Sequence, residues 1–184
     1  MNVVGIIEED FADSVDGIAY SIWFGGCDIR CPGCHNRTHW DLDPRNEYPV
    51  DLILQKTIAS FQLSEARGIK KSLAILGGEP LAPFNRNDLY FFLLYFRKLK
   101  PEVKIRIWTG RTVEQIQKEC KDAQVLVDIF NMADEVIVGP FIEKLKANLP
   151  LRGSSNQRIL IKGKDYKVEN EILTFLNNET ESPL

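Results

Sequence analysis

Cys27, Cys31 and Cys34 are spaced C-x3-C-x2-C inside the stretch Gly25-Gly26-Cys27-Asp28-Ile29-Arg30-Cys31-Pro32-Gly33-Cys34-His35-Asn36. Thiolates are the usual ligands of iron–sulfur clusters and common ligands of zinc. Loops this short let three of them converge on one centre, and the glycines and Pro32 permit the tight backbone needed to wrap it. Two chemistries fit the residues. Three thiolates can hold three irons of a 4Fe–4S cube, leaving the fourth iron open to a substrate. Alternatively, three thiolates with His35 or His39 form a Cys3His zinc site, and the chain is then a non-enzymatic module.

Two further sequences carry polar groups on glycine-rich turns: Gly77-Gly78-Glu79-Pro80 and Thr109-Gly110-Arg111. A later segment is basic. Lys144, Lys146, Arg152, Arg158, Lys162, Lys164 and Lys167 are opposed there only by Glu143 and Asp165. Most of these lysines read as a solvated surface. Cys120 stands apart from the other thiols and reads as a packed or free cysteine.

The elements that must position these residues alternate. Val3–Glu8, Ile18–Phe24, Ser72–Leu76, Val103–Trp108, Glu135–Val138 and Arg158–Ile161 read as strands, being short and rich in β-branched and aromatic residues. Helices are expected over Val50–Gln62, from an Asn87 or Asp88 cap to Leu99, from Thr112 to about Lys121, over Leu126–Met132 and over Glu169–Asn177. The stripe Leu89, Phe92, Leu93, Phe96 reads as core, and His39 and Trp40 as loop packing. Strands alternating with helices give an α/β fold with about five or six mostly parallel strands. That is too few for a closed eight-stranded barrel of about 250 residues, so an incomplete (βα) barrel or a short open sheet is expected. The cysteine loop, the glycine pair and Thr109 all follow carboxyl ends of strands, where chemistry collects in such folds.

The chain has 184 residues, with 23 basic and 26 acidic side chains for a net charge of −3. This length predicts one domain over residues 1–184, with a frayed polar tail at 178–184. The charge balance argues against direct DNA or membrane binding. No apolar run approaches the ~18–20 residues of a spanning helix, and the acidic N-terminus does not read as a signal peptide. A cytoplasmic location with reduced thiols follows, where cysteines serve metal or catalysis rather than disulfides.

Cys27 to Asn36 resembles the cluster motif of radical S-adenosylmethionine enzymes, and its ending Cys-Pro-Gly-Cys-His-Asn looks like the version in glycyl-radical activating enzymes. Gly77-Gly78-Glu79-Pro80 matches the GGEP motif of that superfamily. Leu151 to Ile159, with Arg-Gly-Ser-Ser-Asn-Gln-Arg at 152–158, is similar to the late signature of activases of anaerobic ribonucleoside-triphosphate reductase, which are similarly short.

The resemblance implies an incomplete barrel of the radical S-adenosylmethionine type, with Cys27, Cys31 and Cys34 as ligands of a 4Fe–4S cluster and S-adenosylmethionine as cosubstrate. It implies that Glu79 and the backbone of Gly77 and Gly78 receive the substrate ammonium. Asn36 would lie near the adenine, with His35 beside it, and Thr109 near the ribose or amino acid. Arg152, with Ser154, Asn156 and Arg158, would hold the substrate carboxylate or dock the reductase. The partners implied are the glycyl-radical reductase and an electron donor of the flavodoxin or ferredoxin type. Another small radical enzyme with a different peptide or small-molecule substrate shares most of these features. Two positions depart from the pattern: Gly33 stands where an aromatic residue is common, and Val138 precedes Gly139-Pro140 where an acid is common.

Overall fold

The computed structural model describes residues 1–14 and 17–176. In chain order the elements are β1 (Val3–Asp10), β2 (Ile18–Phe24), α1 (Val50–Ala66), β3 (Lys71–Gly77), α2 (Arg86–Leu99), β4 (Ile105–Trp108), α3 (Val113–Glu119) and α4 (Gln124–Met132). They continue with β5 (Glu135–Val138), β6 (Lys146–Leu149), β7 (Arg152–Ser154), β8 (Arg158–Ile161), β9 (Tyr166–Glu169) and β10 (Ile172–Phe175).

Six strands form one sheet in the order β1-β2-β3-β4-β5-β8. β2, β3, β4 and β5 run parallel, and the edge strands β1 and β8 are antiparallel to their neighbours. The expectation of an α/β fold on a mostly parallel sheet of about six strands therefore holds. Each parallel step is made by a helical crossover, which is the only economical way to return the chain to the same edge.

The helices cover one face. Tyr20, Ile22, Leu73, Ile75, Ile105, Ile107, Val136 and Val138 alternate along the strands and meet Phe61 of α1, Leu89, Phe92, Leu93 and Phe96 of α2, and Ile129 and Phe130 of α4. The expected stripe on α2 is fully buried. Thr112 caps α3 through a capping box with Gln115, as its sequence suggests. Among the described residues no helix is long and apolar enough to cross a membrane.

Three details correct the sequence reading. α2 starts at Arg86 with Asn85 at its cap position, not Asn87 or Asp88. The Asn85 amide does not cap; it donates to the Gly25 and Glu79 carbonyls, each at 3.0 Å. The last helix expected over Glu169–Asn177 is the hairpin β9–β10 across its described residues. Asn170 and Glu171, at φ 48° and 61°, form its two-residue turn, and left-handed pairs of this kind match the twist of adjoining strands. Tyr166 and Phe175 of this hairpin pack on Phe130 of α4, so burial on both strands decides the local structure. The hairpin β6–β7 was also not expected from the sequence; Leu151 turns it at φ 61°. The tail expected to fray at 178–184 lies outside the described residues.

Candidate functional site

At the carboxyl ends of β2, β3, β4 and β5 the connecting loops enclose a cavity of about 360 Å³. Its wall includes Cys27, Cys31, Cys34, Asn36, Gly77, Gly78, Glu79, Thr109 and Arg152, so these residues face one space, whereas Ser154, Asn156 and Arg158 do not line it. Ala12 and Asp13, which follow β1, line it as well, as do Trp108, Phe141 and Gln157.

The cysteine loop is laced to its neighbours through backbone. Gly26 N donates to His39 O and Cys27 N to Trp40 O, both at 2.9 Å. Gly78 N donates to Phe24 O at 2.7 Å and Glu79 N to Gly26 O at 2.8 Å. This approach demands glycine at two positions. A Cβ on Gly78 would lie 2.3 Å from the Gly26 carbonyl oxygen, and Gly77 adopts φ +110° with the Phe24 backbone 2.5 Å from any Cβ.

The three thiols are free and only partly buried. Each sulfur receives backbone donors: Ile29 and Arg30 amides at Cys27, the Phe141 amide at Cys31, and the Asn36 amide at Cys34 Sγ at 3.3 Å. Burial pushes the Cys27 and Cys31 thiols up from their ordinary values. Amide donors aimed at sulfur suit cluster-bound thiolates, whose negative charge they offset. Among the described residues, no three His, Cys, Asp or Glu side chains gather closely enough for a single metal ion. The histidines have other contacts: His35 packs on Phe141 with ring centroids 5.0 Å apart, and His39 meets Trp23 edge-on at 6.2 Å. Trp40 lies between Arg30 and Arg37.

Glu79 is fully buried. Its Oε1 accepts from Leu81 N at 2.9 Å and the Thr109 hydroxyl at 2.7 Å, and its Oε2 accepts from Gly110 N at 2.8 Å. Arg111 Nη1 lies 3.4 Å from Oε1. Burial pushes the Glu79 carboxyl up, against the pull of the Arg111 guanidinium, the Thr109 hydroxyl and the two amides. Each carboxylate oxygen has two acceptor positions, so Oε2 keeps one for a further donor. Thr109 spends its hydroxyl on Glu79 and on accepting from Arg111 N at 3.1 Å.

The late segment divides. Arg152 lines the cavity; Nη1 donates to Gln157 O at 3.4 Å, and the buried Nε has no hydrogen-bond partner. Ser154, Asn156 and Gln157 are structural ties. Ser154 Oγ accepts from Ile142 N at 3.3 Å, Asn156 Nδ2 donates to Pro140 O at 2.8 Å, and Gln157 Nε2 donates to Gly139 O at 3.0 Å. They fasten the loop after β5 to the β6–β7 hairpin, which Trp108 Nε1 also holds by donating to Leu151 O at 2.8 Å. Arg158 is exposed on the edge strand β8. Cys120 packs against the core of the helix layer, where burial raises its thiol to about 11.

Two features escaped the sequence reading. Asp10 is buried and accepts from the Ser21 hydroxyl at 2.6 Å and the amides of Ala12 and Asp13. Burial, then the neighbouring Asp10, raises the Asp13 carboxyl at the cavity wall to about 7. The second is an ion network around Arg111, which joins Asp28 to Glu119. A like-charge pair three residues apart after a strand is the only sequence signal for the first. The second joins residues 83 positions apart and leaves no local signal.

A family model described as a 4Fe-4S single cluster domain matches residues 15–160, and the chain belongs to that family. Its curated relatives are more particular. The anaerobic ribonucleoside-triphosphate reductase-activating protein of Salmonella typhimurium is 30% identical over 143 residues, 77% of this chain and 86% of that protein. The proteins of the same name from Enterobacteria phage T4 and Escherichia coli K12 are 28% and 29% identical, over 86% and 77% of this chain and 93% and 86% of theirs. The kinship suggested by the cysteine motif and the late Arg152–Arg158 segment is the one these similarities show. Family membership supports a 4Fe–4S cluster as the group for this site, and the amide-decorated thiols around one cavity fit it.

Proposed function

We propose that this chain is a radical S-adenosylmethionine activase, acting in the cytoplasm, that generates a glycyl radical on anaerobic ribonucleoside-triphosphate reductase. The observation that carries the reading is the single cavity lined by Cys27, Cys31, Cys34, Gly77, Gly78, Glu79, Thr109, Asn36 and Arg152. The printed names of the relatives support the reductase as target. The open sheet, with its site at the strand carboxyl ends, is compatible with an incomplete barrel of the radical type.

Cys27, Cys31 and Cys34 would hold the cluster, and the chemistry it would supply when bound is one-electron reduction of the S-adenosylmethionine sulfonium, giving methionine and a 5′-deoxyadenosyl radical. The chain positions and shields. The free acceptor position on Glu79 Oε2 suits the substrate ammonium, and the glycine pair lets backbone approach it closely. The unpartnered Arg152 Nε suits the substrate carboxylate. The Asn36 backbone, hydrogen-bonded to Cys34 at the cavity wall, suits the adenine. Trp108 and Phe141 limit water around the space. The electron comes from a flavodoxin- or ferredoxin-type protein.

The test is anaerobic reconstitution with iron and sulfide, reduction, and addition of S-adenosylmethionine. Brown protein releasing 5′-deoxyadenosine and methionine is expected, followed by a glycyl doublet in electron paramagnetic resonance once the reductase is added. An intact cluster that releases no 5′-deoxyadenosine would sink the reading. Cleavage without a doublet on the reductase would move the target elsewhere.

A further inference from the structure

The Arg111 side chain is 5% exposed, and its guanidinium meets three carboxylates from three different segments. Nη1 and Nη2 hold Asp28 as a fork, at 3.2 and 2.7 Å to its two oxygens. Nε donates to Glu119 of α3 at 3.0 Å, and Nη1 is 3.4 Å from Glu79. The backbone of the same residue accepts from Gly139 N at 2.9 Å, at the end of β5. Glu119 in turn is paired with Arg86, whose Nε donates to Leu81 O at 2.6 Å, two residues after Glu79.

Asp28 follows Cys27 directly, so the fork grips the cysteine loop at its first thiol. Its other hand rests on Glu79. A planar guanidinium fixes both angle and distance to a carboxylate, which a point charge does not. Asp28 is itself partly exposed, with 36% of its side chain accessible, so the loop has no hydrophobic burial at this position to hold it. We propose that Arg111 is a positioning residue that sets the cysteine loop in register with Glu79, and thereby aligns the cluster's open corner with the ammonium acceptor. This inference rests on the function proposed above.

The role has a signature. Cluster uptake depends on the three thiols, none of which Arg111 touches. Nucleotide binding depends on loop and acceptor together. Loosening the fork therefore separates two properties that a general folding defect would lower together.

The experiment compares the parent protein with Asp28→Asn, Arg111→Lys and the double variant, each reconstituted anaerobically. Thermal midpoint, iron per chain and S-adenosylmethionine affinity by equilibrium dialysis are read in parallel. Asp28→Asn leaves Arg111 paired with Glu119 and Glu79, so it keeps the fold where a neutral replacement of Arg111 would strand three carboxylates. Both single variants are expected to load iron fully and to bind S-adenosylmethionine at least about tenfold more weakly, since small displacements between cooperating groups are costly. The double variant is expected to be no more than about twofold weaker than the poorer single, as for two ends of one contact. Parent-like affinity in Asp28→Asn, additive losses in the double variant, or iron falling in step with affinity would each overturn the proposal. A parent protein that takes up no cluster overturns the functional reading, and this one with it.

Discussion

Along β2, Tyr20, Ile22 and Phe24 enter the helix-covered core, while the alternate residues Ala19, Ser21 and Trp23 lie on the opposite face. The register carries this alternation across the sheet. Ser21 pairs with Ala74, Ala74 with Arg106 and Arg106 with Glu135, forming a polar row behind an apolar one. Arg106 is fully buried, with Nε 2.5 Å from Glu135 Oε2. Lys104 reaches the other oxygen of Glu135 at 2.7 Å. One face is thus closed by close-packed hydrocarbon, while the other is built from charges, small residues and two tryptophans that leave room for the cavity. The same strands supply stability on one side and a chemically equipped surface on the other.

Substitutions can sharpen or break that contrast. The largest effect is expected at the site: Cys31→Ala should abolish S-adenosylmethionine cleavage while leaving the thermal midpoint of the metal-free protein nearly unchanged. A metal-free protein that no longer folds would mean the loop belongs to the stabilising side after all. Next come the two faces themselves. Phe92→Ala, in the helix layer, should cost about 3–5 kcal/mol in denaturant unfolding. Glu135→Ala, on the polar row, should cost a similar 3–5 kcal/mol by taking a carboxylate from the buried Arg106. If Glu135→Leu restores most of that loss, the ion pair is not required for stability.

A smaller effect should appear with pH. The Asp13 carboxyl is raised to about 7 in the fold and returns to an ordinary value near 3.8 on unfolding. Between these values the folded chain holds the extra proton, so stability falls as pH rises through that window. Asp13→Asn should flatten this part of the stability profile measured from pH 4 to 8; an unchanged slope would remove Asp13 as its source. The smallest effect is expected at Cys120→Ala, which lies in the helix layer away from the cavity. It should lower the midpoint slightly and leave iron content at the parent value. A colourless Cys120→Ala protein would contradict the choice of ligands.

Much of the site was legible in the sequence because its signals are local. Three cysteines on one loop, a glycine pair after an apolar strand, and Thr109 after another need only short-range geometry to be recognised, and all of them line the cavity. Arg152 was found through resemblance alone. The central strands were legible by alternation and length. What was not legible depends on distant partners. Glu169–Phe175 contains residues acceptable to a helix, and the packing of Tyr166 and Phe175 on α4 decides for a hairpin. The Asp28–Arg111–Glu119–Arg86 network joins the cysteine loop, α3 and the start of α2, and nothing within one window of sequence announces it. Ser154 and Asn156 looked available for a ligand, but the Ser154 hydroxyl accepts from Ile142 N and the Asn156 Nδ2 donates to the Pro140 carbonyl.

The backbone lacing of Gly26, Cys27 and Glu79 joins two loops along one seam. A side chain at Gly78, whose Cβ would stand 2.3 Å from the Gly26 carbonyl oxygen, would wedge that seam open and drive the cysteines and Glu79 apart in one stroke. A single misplaced methyl group there would spoil two loops at once.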